Sequence, residues 1–252
     1  MSSTTRYSEY DSLASMYDDQ GTERHDIVVA QLENLVLQHL PNGAQILDVC
    51  CGTGQIAQRL LKQGYQVTGI DGSEEMLRYA QKNAPSAEFI LEDARFFQFP
   101  PTYHAVISTD VGLNLVITLE ELQSVFRNVY QALRENGIFV FDLYVEELCG
   151  EDWQRTKVQG DAKDNHAWIS QFHYDTEKEL GCDRTTRFEL IDGQWQRYNM
   201  NFVYKVYSVS EVKSTLEKIG FTDIIFYDIK ADFGIESSNH VGCFICRKGL
   251  ND

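Results

Sequence analysis

The sequence predicts an α/β fold around one mainly parallel β-sheet, and three observations lead to this prediction. From residue 45 onward, short apolar runs alternate with longer amphipathic runs, which is typical of an open parallel sheet with helices on both faces. Near the C-terminus, the runs FTDIIFYDI and HVGCFICRK are separated only by the loop KADFGIESSN. Because a parallel connection needs a dozen or more residues and usually a helix, these last two strands are expected to pair antiparallel. Period-two patterns across 150–207 predict a small antiparallel β insertion.

The elements of the α/β region follow one another as repeated strand and helix. The predicted strands are QILDVC (45–50), QVTGID (66–71), AEFILE (87–92), HAVIST (104–109) and GIFVFDLY (137–144), followed by the C-terminal pair. The predicted helices are QIAQRLLKQG (55–64), SEEMLRYAQKN (73–83), LEELQSVFRNVYQALREN (119–136) and SEVKSTLEKIG (210–220). Ser73 and Ser210 are expected to cap the starts of their helices, and Gly137 and Gly220 to end the last two. Seven strands result.

Two further regions flank this core. SEYDSLASMYDD and ERHDIVVAQLENLVLQHL precede it and predict two amphipathic helices, the second with Ile27, Leu32, Leu35 and Val36 on roughly one face. The insertion contains the strand patterns HAWISQFHYD, TTRFELID and WQRYNMNFVYKVYS, joined by turn signals at 179–181 and 192–193. Since no linker divides the chain, a single domain over residues 1–252 is expected.

Composition narrows the function classes. The 252 residues include 22 Lys and Arg against 38 Asp and Glu, a formal charge of −16, which repels phosphate backbones and anionic membrane surfaces. No apolar run has the length of a signal peptide core or of a membrane span, so a cytoplasmic location is expected. The six cysteines are expected to be reduced thiols, and the Cys243-x-x-Cys246 pair lies within a predicted strand rather than in half of a zinc site. No metal site is predicted.

The stretch LDVCCGTGQIA (47–57) contains Gly52-x-Gly54-x-x-Ala57 after a predicted strand. A strand that ends in Gly-x-Gly and turns into a helix exposes backbone N–H groups to a ligand, with no Cβ in the way. Asp71 ends the second strand, 17 residues beyond Gly54, where a carboxylate can accept both hydroxyls of a ribose. A nicotinamide-binding fold shares this feature, but it requires neither Asp48 nor the Asp93-Ala94 pair after the third strand.

Three motifs resemble those of the class I S-adenosylmethionine-dependent methyltransferases. LDVCCGTG is similar to the first motif of that family, GIDGSEEML to the second-strand acid and its following helix, and EDAR to the adenine-edge motif. The resemblance covers residues 40–145 through motifs and the rest through topology. It implies a Rossmann-like sheet, S-adenosylmethionine as cofactor, a helical lid at residues 1–40 and a substrate lid formed by the insertion at 150–207.

The resemblance also implies roles for particular residues. Asp48 would hold the loop and meet the cofactor's ammonium group, and Asp71 would bind the ribose hydroxyls. Met76 would border the adenine, whose amino group Asp93 would accept beside the backbone N–H of Ala94; packing in the core is the alternative role for Met76. The complete predicted cofactor set is Tyr17, Asp48, Cys50, Gly52, Gly54, Asp71, Gly72, Met76, Asp93, Ala94 and Ser108.

The methyl acceptor is expected to enter over the carboxyl ends of the strands, between the N-terminal segment and the insertion. Methyl transfer from a sulfonium is an in-line displacement that depends on alignment and exclusion of water, and it needs no metal. The sequence identifies no catalytic residue; Asp110, Asn114 and Tyr144 are candidates to meet the acceptor, with loop capping as the alternative for the first two. In the insertion, Arg184 and Arg187 are interpreted as solvated charges rather than as ligands of a substrate anion.

The sequence therefore favours N- or O-methylation of a small soluble metabolite. Two alternatives stay open: a non-catalytic module that binds S-adenosylmethionine or S-adenosylhomocysteine, and, with less support, an NAD-dependent oxidoreductase. The glycine loop and its acids govern cofactor binding, so they do not decide between a binding module and an enzyme. Oligomeric state is open as well.

Overall fold

The structure is a computed structural model that describes residues 8–19, 22–149, 153, 156–235 and 240–249. Parts of both predicted lids lie outside these residues: 1–7 and 20–21 of the N-terminal segment, and 150–152 and 154–155 of the insertion. The loop predicted between the last two strands is described in part, with 236–239 outside.

A seven-stranded sheet forms the centre of the molecule, in the order β10-β11-β5-β4-β1-β2-β3. Its strands are β1 Gln45–Val49, β2 Gln66–Asp71, β3 Glu88–Leu91, β4 Tyr103–Ser108, β5 Leu133–Tyr144, β10 Phe221–Asp228 and β11 Val241–Lys248. Only β11 runs against its neighbours; the other pairings in this sheet are parallel. The predicted sheet and its antiparallel last strand are confirmed. The chain reverses its direction across the sheet between β1 and β4, which places a ligand crevice at their carboxyl ends.

Helices cover both faces of this sheet. They are α1 Ala14–Asp19, α2 Thr22–Leu35, α3 Gln55–Lys62, α4 Glu74–Asn83, α5 Leu119–Ala132, α6 Val209–Ile219 and the short α7 Ile229–Phe233. On α5, Val125 and Phe126 pack against Phe139 and Phe141 of β5. On the opposite face, α2 buries Val29 and Leu32, but Ile27 is 39% exposed. The expected inclusion of Ile27 in the apolar face is therefore wrong.

The boundary between α5 and β5 differs from the prediction of a helix over 119–136. The helix ends at Ala132, and Leu133 already has extended dihedrals and pairs with Tyr103. Leu133 is fully buried, and its carbonyl accepts a hydrogen bond from Lys248 Nζ at 2.8 Å. Because these tertiary contacts require an extended backbone, they override the helix propensity of the LREN segment.

The cap of α6 is also two residues earlier than predicted. Ser208, not Ser210, accepts the N–H of Glu211, and the Glu211 carboxylate accepts the N–H of Ser208. This reciprocal arrangement satisfies two helix-terminal donors. The predicted caps at Ser73 and Gly220 are confirmed, the latter with φ +112°.

The insertion forms a separate four-stranded antiparallel sheet in the order β6-β7-β8-β9. Its strands are β6 Lys157–Ala162, β7 His166–Asp175, β8 Leu180–Ile191 and β9 Gln194–Lys205. The sequence prediction contained β7, β8 and β9 but missed β6. Residues 180 and 181, predicted as part of a turn, already belong to β8.

The two faces of this second sheet have different environments. The inner face buries Ser170, Arg187, Met200 and Phe202, and Met200 and Phe202 pack with α1 and α4. Arg187 is 4% exposed and contacts Glu189 and Ser15, so its interpretation as a solvated charge is wrong. The outer face exposes several apolar side chains, namely Val158, Ile169, Phe188, Leu190, Trp195 and Val203.

Cys243 and Cys246 are buried in β11, as expected for a strand. Within the described residues, no cluster of three or more His, Cys, Asp or Glu side chains is arranged to hold a metal ion. Over the same ranges, no helix combines the length and the apolar character that crossing a membrane requires.

The cap of α6 offers a direct stability test. We expect Ser208→Ala to lower the free energy of unfolding by about 1 kcal/mol, because the substitution removes the acceptor for the Glu211 N–H. Ser210→Ala, at an exposed position in the same turn, is the matched control and is expected to change it less. Urea denaturation of both variants measures the difference; an equal effect of the two substitutions would contradict the assignment of the cap.

Candidate cofactor and acceptor site

A cavity of about 260 Å³ opens at the carboxyl ends of the parallel strands, beside the reversal between β1 and β4. Most of the predicted site residues line it: Tyr17, Asp48, Cys50, Gly52, Asp71, Gly72, Met76, Ala94, Asp110 and Tyr144. Four predicted residues do not belong to its wall: Gly54, Asp93, Ser108 and Asn114. The topology thus gathers distant sequence positions around one space.

The two loop glycines have different structural roles. Gly52 has φ +52°, and a Cβ added there would meet no atom within 4 Å, so this backbone faces open space. Gly54 has φ +73°, and an added Cβ would lie 2.9 Å from Ala80 Cα. Contact between α3 and α4 therefore requires glycine at position 54. The prediction that Gly54 borders the cofactor is corrected: it lets the helices approach.

Asp71 connects the loops that follow β1 and β2. Its Oδ2 accepts the N–H of Gly52 and its Oδ1 accepts the N–H of Ser73, each at 2.9 Å. Burial raises the pKa of Asp71, although these N–H groups oppose the shift. Asp48 is 2% exposed; burial, followed by the charge of Asp71, raises its pKa to about 8. The carboxyl groups of Asp48 and Asp71 thus lie under the glycine loop, where they are poorly solvated.

Asp93 does not face the cavity. Both of its oxygens accept hydrogen bonds from the Arg95 guanidinium, with Nε to Oδ1 at 2.9 Å and Nη2 to Oδ2 at 2.5 Å. The Arg95 backbone N–H also donates to Oδ1. Arg95 thus occupies the Asp93 carboxylate outside the cavity wall, and the contact of Asp93 with an adenine stays a prediction. Glu92, which the sequence analysis missed, lines the cavity at this edge with Ala94.

Ser108 and Asn114 are buried and do not line the cavity. Ser108 is 1% exposed, so its predicted contact with the cofactor stays a prediction. Asn114 is fully buried; its Nδ2 donates to the carbonyls of Tyr144 and Lys205, and its Oδ1 accepts the N–H of Tyr144 at 2.9 Å. These bonds use the amide to join β5 and β9, so Asn114 is not placed to meet an acceptor. The alternative of local loop capping does not describe it either, because its partners Tyr144 and Lys205 are 30 and 91 residues away in the chain.

The loop after β4 is held in an unusual conformation. Asp110 and Val111 have φ +66° and +54°, and a β-branched residue in this region is strained. Both backbone N–H groups donate to the carboxylate of Asp142, at 3.0 and 2.6 Å. Burial raises the pKa of Asp142 to about 7. No sequence motif marks Asp142 as a functional residue, because it lies inside a strand pattern.

Four phenols complete the cavity wall: Tyr10, Tyr17, Tyr144 and Tyr204. Desolvation by burial raises the pKa of each, that of Tyr144 to about 12, so these hydroxyls stay neutral at physiological pH. Arg24 of α2 forms an ion pair with Asp110 across the opening. Tyr204 and Arg24 were not predicted to line the cavity, because neither lies within a recognisable sequence motif.

Comparison with known proteins agrees with this geometry. Residues 46–137 match a family described as a methyltransferase domain. Over 231 residues the chain is 29% identical to YqeM of Bacillus subtilis, which is assigned to the methyltransferases, covering 89% of this chain and 90% of that one. A crystal structure of an S-adenosylmethionine-dependent methyltransferase from Clostridium acetobutylicum superposes with a TM-score of 0.76 at 18% identity, over 96% of this chain and 99% of that one.

Residues 46–137 of this chain thus carry a methyltransferase domain, and the fold is that of the S-adenosylmethionine-dependent methyltransferases. A third relative is the Streptomyces venezuelae enzyme dTDP-3-amino-3,4,6-trideoxy-alpha-D-glucopyranose N,N-dimethyltransferase, 30% identical over 141 residues, 56% of this chain and 57% of that enzyme. The match to a methyltransferase domain leaves the alternative of an NAD-dependent oxidoreductase without support.

The shape and charge of the cavity suit S-adenosylmethionine, the cofactor that the sequence resemblance implies. The bare backbone at Gly52 leaves room for close approach. The wall carries Asp48, Asp71, Glu92 and Asp110, against Arg24, which is paired with Asp110. A carboxylate-rich, poorly solvated cavity suits a ligand that carries a sulfonium and an ammonium group.

The buried Asp142 makes stability depend on pH. Its pKa is raised from 3.8 to about 7 in the folded protein, so its contribution to stability is fully present below about pH 4 and is lost as the pH rises through about 7. We expect the free energy of unfolding to fall less steeply over this window in Asp142→Asn. Urea denaturation between pH 4 and 8 measures the slope, with Asp192→Asn, in an exposed turn, as control. Parallel slopes in all three proteins would contradict the prediction.

Proposed function

We propose that this methyltransferase transfers the methyl group of S-adenosylmethionine to a nitrogen or oxygen atom of a small-molecule acceptor. The observation that carries the proposal is the continuity of the cavity: the wall that contains Gly52 and Asp71 also contains the phenols of Tyr144 and Tyr204. Cofactor and acceptor would thus share one enclosed space under the second sheet, as an in-line displacement requires.

On this proposal, the cofactor set is revised by the geometry. Asp71 would accept the ribose hydroxyls with the lone pairs that Gly52 and Ser73 leave, and Glu92 would take the place of Asp93 beside the adenine. Asp48 would face the methionine part with Cys50, and Gly72 and Met76 would border the adenine ring. S-adenosylmethionine supplies an electrophilic methyl group; the residues of the chain orient both reactants and exclude water.

The N-terminal helices and the second sheet would act as lids. Tyr10 and Tyr17 come from the first of these regions and Tyr204 from the second, and all three line the cavity. Tyr10 packs against Phe202 with ring centroids 4.5 Å apart, so the two regions meet over the site. The single domain over residues 1–252 and the cytoplasmic location remain predictions from the sequence.

A small acceptor is supported by the relative from Streptomyces venezuelae, which is named for methylation of an amino sugar nucleotide. The remaining alternative is a module that binds the cofactor without turnover. Incubation with methyl-labelled S-adenosylmethionine and a fractionated metabolite extract, followed by mass spectrometry, separates the two. A labelled small molecule supports the enzyme; bound cofactor with no transferred label would favour the binding module.

The ribose assignment has its own test. We expect Asp71→Ala to weaken S-adenosylmethionine binding by at least about tenfold, since hydrogen bonds to a charged group contribute about 1.5–3 kcal/mol. Titration calorimetry measures the affinity, and circular dichroism checks that the fold persists. Glu74→Ala, at an exposed site three residues along, is the control. Unchanged affinity in Asp71→Ala would remove the ribose site from this carboxylate.

A further inference from the structure

The acceptor side of the cavity is bounded by phenol rings that come from separate parts of the chain. Tyr10 and Tyr17 belong to the N-terminal helices, Tyr144 ends β5 and Tyr204 lies on β9. The rings of Tyr10 and Tyr17 are 6.1 Å apart, and those of Tyr144 and Tyr204 are 6.4 Å apart and perpendicular. All four residues line the same cavity, so a group bound there would lie against aromatic side chains.

The second sheet covers the cavity, and it carries a carboxylate near these rings. Asp183 lies on the inner face of β8, where it pairs with Phe202, while Tyr204 pairs with Gly181. Asp183 and Tyr204 are thus diagonal neighbours on one face of the sheet, where the Cα atoms of such a pair usually lie about 7–8 Å apart. The Asp183 carboxylate accepts hydrogen bonds from the hydroxyls of Ser170 and Thr185, which hold it in place. Its charge acts on Tyr17, Tyr144 and Tyr204.

Two side chains in the described wall of the cavity can carry a positive charge, Arg24 and His25. Among the described residues of its wall, the arginine is Arg24, whose guanidinium is bound to Asp110. Arg187, on the inner face of the second sheet, is bound to Glu189 and Ser15. A carboxylate or phosphate bound at either arginine would have to displace one of these contacts, and in the cavity it would also face Asp110.

We propose that the acceptor is an amine, held against the phenol faces of Tyr17, Tyr144 and Tyr204 and within the field of Asp110 and Asp183. This inference rests on the proposed function and names its substrate class. Cation recognition by aromatic rings with a nearby carboxylate suits an ammonium group and disfavours neutral or anionic oxygen acceptors.

The charge balance of the reaction fits this site. An amine that enters as the ammonium first loses a proton to solvent. The lone pair of the resulting neutral amine then forms a bond to the methyl carbon, the carbon–sulfur bond breaks, and its electron pair stays on sulfur as a neutral thioether. The positive charge moves from sulfur to nitrogen, so the cavity holds one cation before and after the step. The resulting ammonium then releases a proton to solvent. An oxygen anion would instead lose its charge, and the rings and carboxylates would gain nothing from it.

The test compares two probes of the same shape and different charge. Choline and 3,3-dimethylbutan-1-ol are titrated by calorimetry into the protein saturated with S-adenosylhomocysteine. A desolvated cation–π contact contributes about 2 kcal/mol, so choline is expected to bind about 30-fold more tightly. Asp183→Asn is expected to reduce this preference, and Asp192→Asn, in the turn of the same sheet, is expected to keep it.

Substitutions at Tyr204 separate the ring face from the hydroxyl. Tyr204→Phe is expected to retain most of the choline preference, and Tyr204→Leu to lose most of it, because only the former keeps an aromatic face. The affinity for S-adenosylhomocysteine reports in each variant whether the cofactor region stays folded. A loss confined to choline supports the site; a parallel loss for both probes would overturn it.

The outcomes also distinguish this inference from the proposed function. If S-adenosylhomocysteine binds but the two probes bind equally, or acetate binds more tightly than choline, the amine site is wrong and the proposed function stands. If label from S-adenosylmethionine passes to a carboxylate or hydroxyl, the amine site is again overturned. If S-adenosylhomocysteine does not bind, both proposals fail.

Discussion

The carboxylate of Asp71 is the interaction on which the site depends. It accepts the N–H of Gly52 from the loop after β1 and the N–H of Ser73 at the start of α4. Ser73 caps α4 and donates its hydroxyl to Asp11 of the N-terminal segment. The Asp71 carboxylate thereby holds two loops in place. Ser73 in turn connects them to the N-terminal helical segment, about sixty residues earlier in the chain. Removing the Asp71 carboxylate would disturb the loop as well as the proposed ribose contact.

Burial of carboxyl groups on β1, β2 and β5 dominates the electrostatics in and beside this cavity. The pKa values of Asp48, Asp71 and Asp142 are all raised, chiefly by desolvation. Such groups cost folding free energy when ionised. A cationic ligand offsets that cost, so the same arrangement that weakens the empty protein strengthens its interaction with a sulfonium or an ammonium.

The second sheet is joined to the main one through the region that carries the candidate acceptor residues. Asn114 bridges the end of β5 to β9, and Asp142 holds the strained backbone of Asp110 and Val111. These hydrogen bonds connect the second sheet to the end of β5 and β5 to the loop after β4. This arrangement places function at a point where local strain is maintained by surrounding hydrogen bonds.

The sequence by itself determined the parallel core and the glycine loop, and it predicted several of the residues that line the cavity. Each of these depends on local periodicity or on spacing along one βαβ unit, as Gly52 and Asp71 illustrate. Tertiary structure decided what depends on partners distant in the chain. Arg95 takes the Asp93 carboxylate, Asn114 becomes a buried bridge, and Leu133 turns to strand because it packs against β4. Tyr204 and Asp183 reach the cavity only because the second sheet folds over it, and no local pattern encodes that approach.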